Sequence, residues 1–159
     1  MPATREQLQS SAAALCNDFA TQAPLDTLLS HFSTTHQVSA KEHGLQLLAP
    51  FLGRTFTGRT GLEEYFGLLQ KYLVYENMSF GEWVVDAEAR KVNVRGKARF
   101  EWIEGVGKGQ WWDEEFVYVL DFDDEAKITN YQVWADSGAA YLARTGKLRD
   151  LCKGPEKKE

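Results

Sequence analysis

The chain has 159 residues, of which 43% are hydrophobic and 13% aromatic, which favours one domain with a single core and excludes a disordered chain. Its formal net charge of −5 disfavours nucleic-acid binding, because the phosphate backbone requires a concentrated basic face. No stretch approaches the roughly 18 continuous apolar residues of a membrane span, so we expect no contact with a membrane.

The N-terminal region predicts two helices. Thr4 and Gln7 have the spacing of a capping box, and the apolar residues that follow recur at helical intervals, which predicts a first helix over residues 5–21. After Pro24 a second apolar stripe predicts a short helix that ends near Phe32.

A weak alternation of apolar and polar residues over 37–43 predicts the first strand. It places Glu42 on the apolar face of the strand and His43 on the opposite face. The following segment, residues 44–58, is apolar but interrupted by glycine and proline, so it predicts a loop that covers an apolar surface. Phe51 lies in this loop.

The apolar residues that follow first have the spacing of a helix and then, beyond Met78, the two-residue spacing of strands. Thr60 and Glu63 have the spacing of another capping box, which predicts a third helix ending near Tyr75. Beyond Met78, turn sequences separate four predicted strands of an antiparallel meander. These strands cover residues 79–86, 91–104, 110–122 and 128–135.

The third strand of the meander has two unlike faces. Glu114 shares one face with bulky aromatic residues, among them Trp112 and Tyr118. The opposite face carries Val117 and Val119 between acidic residues. Because a half-apolar outer face is typical of an interface, we expect a homodimer through this surface of the sheet.

The C-terminal region predicts a last short helix, with Asp136 or Ser137 as its cap and Gly146 as its end. The two cysteines, Cys16 and Cys152, lack metal-ligand spacing, so we expect ordinary thiols in the reducing environment of the cytoplasm.

Taken in order, the elements predict an α+β domain over residues 1–152. Three N-terminal helices would pack on a curved, mainly antiparallel sheet that a short C-terminal helix closes. Residues 153–159 are predicted to be a disordered, charged tail.

Three segments carry a resemblance to a known family: GRTGLEEYF at the third helix, the strand sequence WDEEF, and the ending ITNYQVWADSGAAYLART. With the order of elements, they make the chain similar to the NTF2-like superfamily, and more narrowly to its SnoaL-like branch, over roughly residues 5–150. The resemblance implies a cone of helices and bent sheet with an open mouth. Members include steroid isomerases, polyketide cyclases, scytalone-type dehydratases, epoxide hydrolases and non-catalytic binding proteins, so it does not assign a reaction.

In the isomerases of this superfamily the catalytic base is a carboxylate on the first strand. Aligned without gaps, the resemblance places Ala40 near that position, and Glu42 is the only acid close to it, which weakens a direct assignment as a steroid isomerase.

Glu114, Asp136 and His43 are the candidate proton-transfer groups. Burial among aromatics would raise the pKa of Glu114 towards neutral pH, and a structural salt bridge with Arg95 or Arg99 is the alternative. Asp136 lies where the last strand enters a helix, so it either faces a cavity or caps that helix. Imidazole exchanges protons near neutral pH, but His43 is equally compatible with an exposed rim position.

Aromatic side chains with a few polar groups among them are typical of a small-molecule site, although core packing explains the same residues. The candidate ligand-binding residues are Tyr118, Tyr131, Trp134, Trp112, Phe51 and Glu42.

The sequence contains no nucleotide-binding motif and no metal-ligand spacing, so we expect neither a cofactor nor a metal ion. The main hypothesis is binding of a hydrophobic, oxygenated small molecule of polyketide- or terpenoid-like character, with a cofactor-free isomerisation, dehydration or cyclisation as the reaction. The alternative is a non-catalytic binding or protein-interaction module of the same fold.

Overall fold

The structure, a computed structural model, describes residues 1–153 of the chain. Within them the chain forms five α-helices and six β-strands. The helices are α1 (Arg5–Ala20), α2 (Leu25–Leu29), α3 (Gly58–Tyr72), α4 (Ser137–Arg144) and α5 (Leu148–Cys152). The strands are β1 (Ser39–His43), β2 (Phe56–Thr57), β3 (Leu73–Asp86), β4 (Lys91–Trp102), β5 (Trp111–Phe122) and β6 (Ile128–Trp134). The predicted tail lies, from residue 154 onward, outside the described residues.

Helix α1 begins at the capping box that its sequence predicts. Thr4 Oγ1 accepts the backbone N–H of Gln7 at 3.2 Å, and Gln7 Oε1 accepts the backbone N–H of Thr4 at 2.8 Å. Both N–H groups at the helix start are thereby satisfied. The apolar face of α1, which includes Leu8, Leu15 and Phe19, is buried against the sheet.

One curved sheet holds all six strands, in the order β2-β1-β6-β5-β4-β3. The predicted antiparallel meander of β3 to β6 is confirmed, whereas β1 joins the sheet in parallel beside β6. The register of β3 against β4 shifts twice, and the left-handed residues Asn77 (φ 56°) and Glu82 (φ 58°) lie at these shifts. Because such bulges bend a strand and increase its twist, they curve this edge of the sheet around the helices.

Several element boundaries differ from the prediction. The capping box at Thr60 and Glu63 does not form, because α3 already begins at Gly58 after Thr57. Strand β3 begins at Leu73 rather than near residue 79, since its first residues pair with the end of β4. Helix α2 ends before Phe32. The predicted last helix is α4, which ends before Gly146 as expected, and the short helix α5 follows it as an addition.

The end of α4 has the local cause that the sequence predicts. Gly146 adopts a φ of 76°, a left-handed conformation that ends α4 and that glycine adopts without strain.

The outer face of the sheet is exposed and mixed in character. Val117 is 37% exposed and Trp134 is 44% exposed, and ion pairs such as Arg95 with Glu82 surround them. This surface matches the half-apolar face that the sequence predicts, and the homodimer remains a prediction. In the described part of the chain, no helix has the length and apolar character needed to cross a membrane.

Candidate active site

A cavity of about 300 Å³ lies between the inner face of the sheet and the helices. Its walls are mainly aromatic and aliphatic side chains, and its size lies at the lower end of the range for small-molecule sites. Three acidic residues line it: Glu42, Glu114 and Asp136. The cavity thus combines apolar walls with ionisable groups.

Glu42 reaches the cavity from the inner face of β1. The side chain is buried, with 8% of the residue exposed, and Tyr65 of α3 donates its hydroxyl to Glu42 Oε1 at 2.8 Å. Burial raises the pKa of Glu42 to about 8, the nearby charge of Glu114 adds to this rise, and the tyrosine hydrogen bond opposes it. Glu42 is therefore mostly protonated at neutral pH.

The second carboxyl oxygen of Glu42 accepts no hydrogen bond from residues 1–153. This oxygen is not sealed inside the protein either. Since Glu42 lines the cavity, this oxygen is open to a molecule bound there.

Glu114 reaches the same cavity from β5. Trp112 Nε1 donates to Glu114 Oε1 at 2.5 Å, and the backbone N–H of Asp136 donates to Glu114 Oε2 at 3.5 Å. Burial raises the pKa of Glu114 to about 7; the charge of Asp136 also raises it, and the two hydrogen bonds lower it. Both protonation states are therefore populated near neutral pH.

The alternative salt bridge of Glu114 does not form. In the sheet register Glu114 lies opposite Ala98, not opposite an arginine. Arg99 instead forms two hydrogen bonds with Asp113, at 2.8 and 3.0 Å, and Arg95 pairs with Glu82.

Asp136 combines the two roles that the sequence left open. Its Oδ1 accepts the backbone N–H of Ala139 at 2.9 Å, which caps α4, and the residue also lines the cavity. Because Asp136 is exposed, it lies at the mouth, where it acts on Glu114 through its charge.

Two predicted site residues, His43 and Trp134, lie on the outer face of the sheet. They occupy paired positions of β1 and β6, and their rings stack at a centroid distance of 3.9 Å with an interplanar angle of 6°. His43 Nε2 also forms a hydrogen bond of 2.8 Å with Gln132. Successive side chains of a strand point to opposite faces of the sheet. Since Glu42 faces inward, the adjacent His43 faces outward, and so does Trp134, its partner on β6. For Trp134 this corrects the predicted location in the cavity. For His43 it is the outward position that the sequence left open as the alternative to a proton-transfer role.

The remaining predicted aromatic residues, Tyr118, Tyr131, Trp112 and Phe51, line the cavity. Tyr118 and Tyr131 lie side by side on β5 and β6, with ring centroids 4.9 Å apart. Phe51 comes from the loop between β1 and β2, where it is almost fully buried. These residues thus belong to the hydrophobic core and at the same time form the wall of the cavity.

The loop that carries Phe51 is folded back tightly on itself. Gly53 has a φ of 81°, and a Cβ atom there would lie 2.6 Å from the carbonyl oxygen of Gly44. Only glycine fits this turn, which lets the loop lie against the wall of the cavity.

Sequence reasoning missed Tyr65 as a site residue. The sequence feature that could have identified Tyr65 is its hydroxyl, which stands alone among the apolar side chains of α3 on the face that carries Leu62 and Phe66. Periodicity identifies that face as buried, but it does not reveal that the hydroxyl meets Glu42 across the interface with β1.

Within residues 1–153, no group of three or more histidine, cysteine, aspartate or glutamate side chains is arranged to hold a metal ion.

No protein-family model matches the sequence, and no curated protein matches it. Solved structures do match. An NTF2-like protein of unknown function from Burkholderia pseudomallei has a TM-score of 0.71 and 15% identity, over 87% of this chain and 98% of its own. TerC, co-crystallised with polyporic acid, has a TM-score of 0.69 and 16% identity, over 87% of this chain and 98% of its own.

The chain has the NTF2-like fold. The BvnE pinacolase from Penicillium brevicompactum is also similar, with a TM-score of 0.64 and 19% identity over 95% of this chain and 97% of its own. At these identities the likeness concerns the NTF2-like fold alone. The α+β cone predicted from sequence is thereby confirmed, with more helices than expected.

Proposed function

We propose that the cavity binds a hydrophobic, oxygenated small molecule and that the protein isomerises, dehydrates or cyclises it by acid/base chemistry without a cofactor. One observation carries this proposal: a buried carboxyl, Glu42, and a half-buried one, Glu114, line one aromatic cavity, and each is hydrogen-bonded by a neutral donor rather than a cation. Buried acids of a structural kind are usually neutralised by a positive partner, so unpaired ones are candidates for function.

The two acids suit complementary roles. Near neutral pH the carboxylate form of Glu114, with a pKa of about 7, can accept a proton from the bound molecule. Glu42, with a pKa of about 8, can donate its proton to an oxygen of the same molecule. In an isomerisation the proton taken by Glu114 returns at another atom and Glu42 regains its own, so the protein ends unchanged.

The other residues support this chemistry. Tyr65 fixes the orientation of the Glu42 carboxyl. Burial is the main cause of the raised pKa of Glu114, and the charge of Asp136 at the mouth adds a smaller rise. Tyr118, Tyr131, Trp112 and Phe51 would form the surfaces against which the apolar part of the ligand packs. The similar structures include a pinacolase and a protein crystallised with polyporic acid, which is compatible with an oxygenated ligand here.

A non-catalytic binding protein is the second candidate. Both oxygens of Glu114 already accept hydrogen bonds, from Trp112 and from the backbone of Asp136, which favours a fixed wall over a proton-transfer group. The two functions differ in whether a bound compound is changed.

The test begins with native mass spectrometry of freshly purified protein, which identifies a retained compound. That compound is then incubated with the wild type, with Glu114→Gln and with Glu115→Gln, an exposed neighbour on the outer face that serves as the control. We expect Glu114→Gln to lose about 10²- to 10⁴-fold in turnover, because a positioned general base contributes that much. Turnover unchanged in Glu114→Gln would contradict catalysis by Glu114.

We also propose that two copies associate through the outer face of the sheet. Val117 and Trp134, which occupy paired positions on β5 and β6, give this face an exposed apolar centre, and ion pairs surround it. An apolar centre with a polar rim is typical of protein interfaces.

A further inference from the structure

The ionisable lining of the cavity has one sign of charge. Glu42, Glu114 and Asp136 are all acids, and within residues 1–153 no lysine, arginine or histidine lines the cavity. The other polar groups that line it are hydroxyls, amides and one indole N–H. Such neutral groups form hydrogen bonds to hydroxyl and carbonyl oxygens but do not balance a full negative charge.

The two arginines of β4 are engaged elsewhere. Arg99 pairs with Asp113 and lies over the ring of Trp111 at 4.0 Å, and Arg95 pairs with Glu82. Neither lines the cavity. A negatively charged ligand would therefore find no counter-ion inside.

The start of helix α4 is the other feature that attracts anions, because its first N–H groups carry partial positive charge. One of the protein's own acids already lies there: Asp136 Oδ1 accepts the N–H of Ala139, and the N–H of Ser137 donates to the carbonyl oxygen of Ala135. An external carboxylate or phosphate that approached this helix start would therefore meet the carboxylate of Asp136.

We infer that the cavity selects neutral ligands, aromatic or polycyclic compounds bearing hydroxyl or carbonyl groups, and rejects molecules that carry a carboxylate or phosphate. A negative charge inside would lose its hydration without gaining a counter-ion, and above about pH 8, where Glu42 and Glu114 are ionised, these acids would also repel it in a medium of low dielectric constant. This inference rests on the proposed ligand-binding function and names the charge class of its ligand.

Naphthamide and naphthoate form a matched pair of probes, because they share size and shape and differ in charge. Isothermal titration calorimetry of both, at a pH about one unit above the Glu42 pKa of about 8, compares them while the acids are ionised. For the wild type we expect naphthamide to bind at least about tenfold more tightly than naphthoate, given the strength of like-charge repulsion at a partly buried site.

Two variants separate the local charge from the net charge of the protein. Glu114→Gln removes a charge inside the cavity, so the preference for naphthamide over naphthoate should fall by about tenfold. Glu115→Gln removes the same charge from the outer face and should leave both affinities unchanged.

Each outcome decides a different point. If naphthoate binds the wild type as tightly as naphthamide, charge selection is refuted while ligand binding stands. An equal fall of this preference in Glu115→Gln would attribute the selectivity to net charge and would also refute it. If neither probe binds, both the inference and the ligand-binding proposal fail.

Discussion

Burial, and not a charged partner, governs the two acids of the cavity. Glu42 and Glu114 each have a raised pKa with desolvation as the largest cause, although hydrogen bonds from Tyr65 and Trp112 oppose it. Ionising an acid in an apolar environment costs free energy, because the carboxylate loses its hydration there. That cost has a measurable consequence for stability.

Replacing Glu42 by glutamine should flatten the dependence of stability on pH. The pKa of Glu42 rises from an ordinary 4.5 to about 8 on folding, so its contribution is complete below about pH 4.5 and is lost as the pH rises through about 8. Glutamine does not ionise, so the variant does not lose free energy of unfolding in this way as the pH rises. Urea unfolding at both ends of this range should therefore show wild-type stability falling by a few kcal/mol more than that of the variant.

The control for this comparison is Glu115→Gln, which changes an exposed carboxyl of the outer face. Its pH dependence should follow the wild type. The same slope in Glu42→Gln and in the wild type would mean that Glu42 is hydrated.

At the scale of elements, the strands and long helices follow from sequence pattern, whereas their ends and contacts do not. The alternation over 37–43 correctly places Glu42 inward and His43 outward. The start of β3 was missed because its first residues are held by pairing with β4 rather than by their own periodicity.

The partners of the site acids depend on long-range register, which the local sequence does not contain. Glu114 was a candidate for a salt bridge with arginines one strand away, and the register places Ala98 opposite it. Tyr65 and Glu42 are 23 positions apart and meet only when α3 packs on β1. The acids and most of the aromatic wall were thus predictable as candidates, but their hydrogen bonds were not.

Helix α4 allows the two roles of Asp136 to be separated. Asp136→Ala removes both the cap and the charge, so it should cost about 1 kcal/mol of unfolding free energy and lower the pKa of Glu114. Asp136→Asn retains a good cap and removes only the charge, so it should lower that pKa with little loss of stability. Thermal unfolding and carboxyl titration by NMR provide the two readouts. Equal destabilisation by both variants would contradict a capping role.

For the whole molecule, the outer face of the sheet decides the assembly. Val117→Lys places a charge at the apolar centre of the proposed interface, so sedimentation velocity should find monomers where the wild type forms dimers. Val106→Lys is the matched control, since Val106 is 82% exposed in the turn after β4 and far from this centre in the register of the sheet. An unchanged sedimentation coefficient for Val117→Lys would remove this interface.

The most direct measurement of the central claim is a ¹³C NMR titration of the glutamate carboxyls, with Glu42→Gln and Glu114→Gln used to assign the two resonances. An apolar cavity that encloses both acids predicts one carboxyl titrating at about 8 and one at about 7, far above an ordinary 4.5. Both resonances titrating near 4.5 would mean that water hydrates the two groups freely, and the account of a catalytic cavity would be wrong.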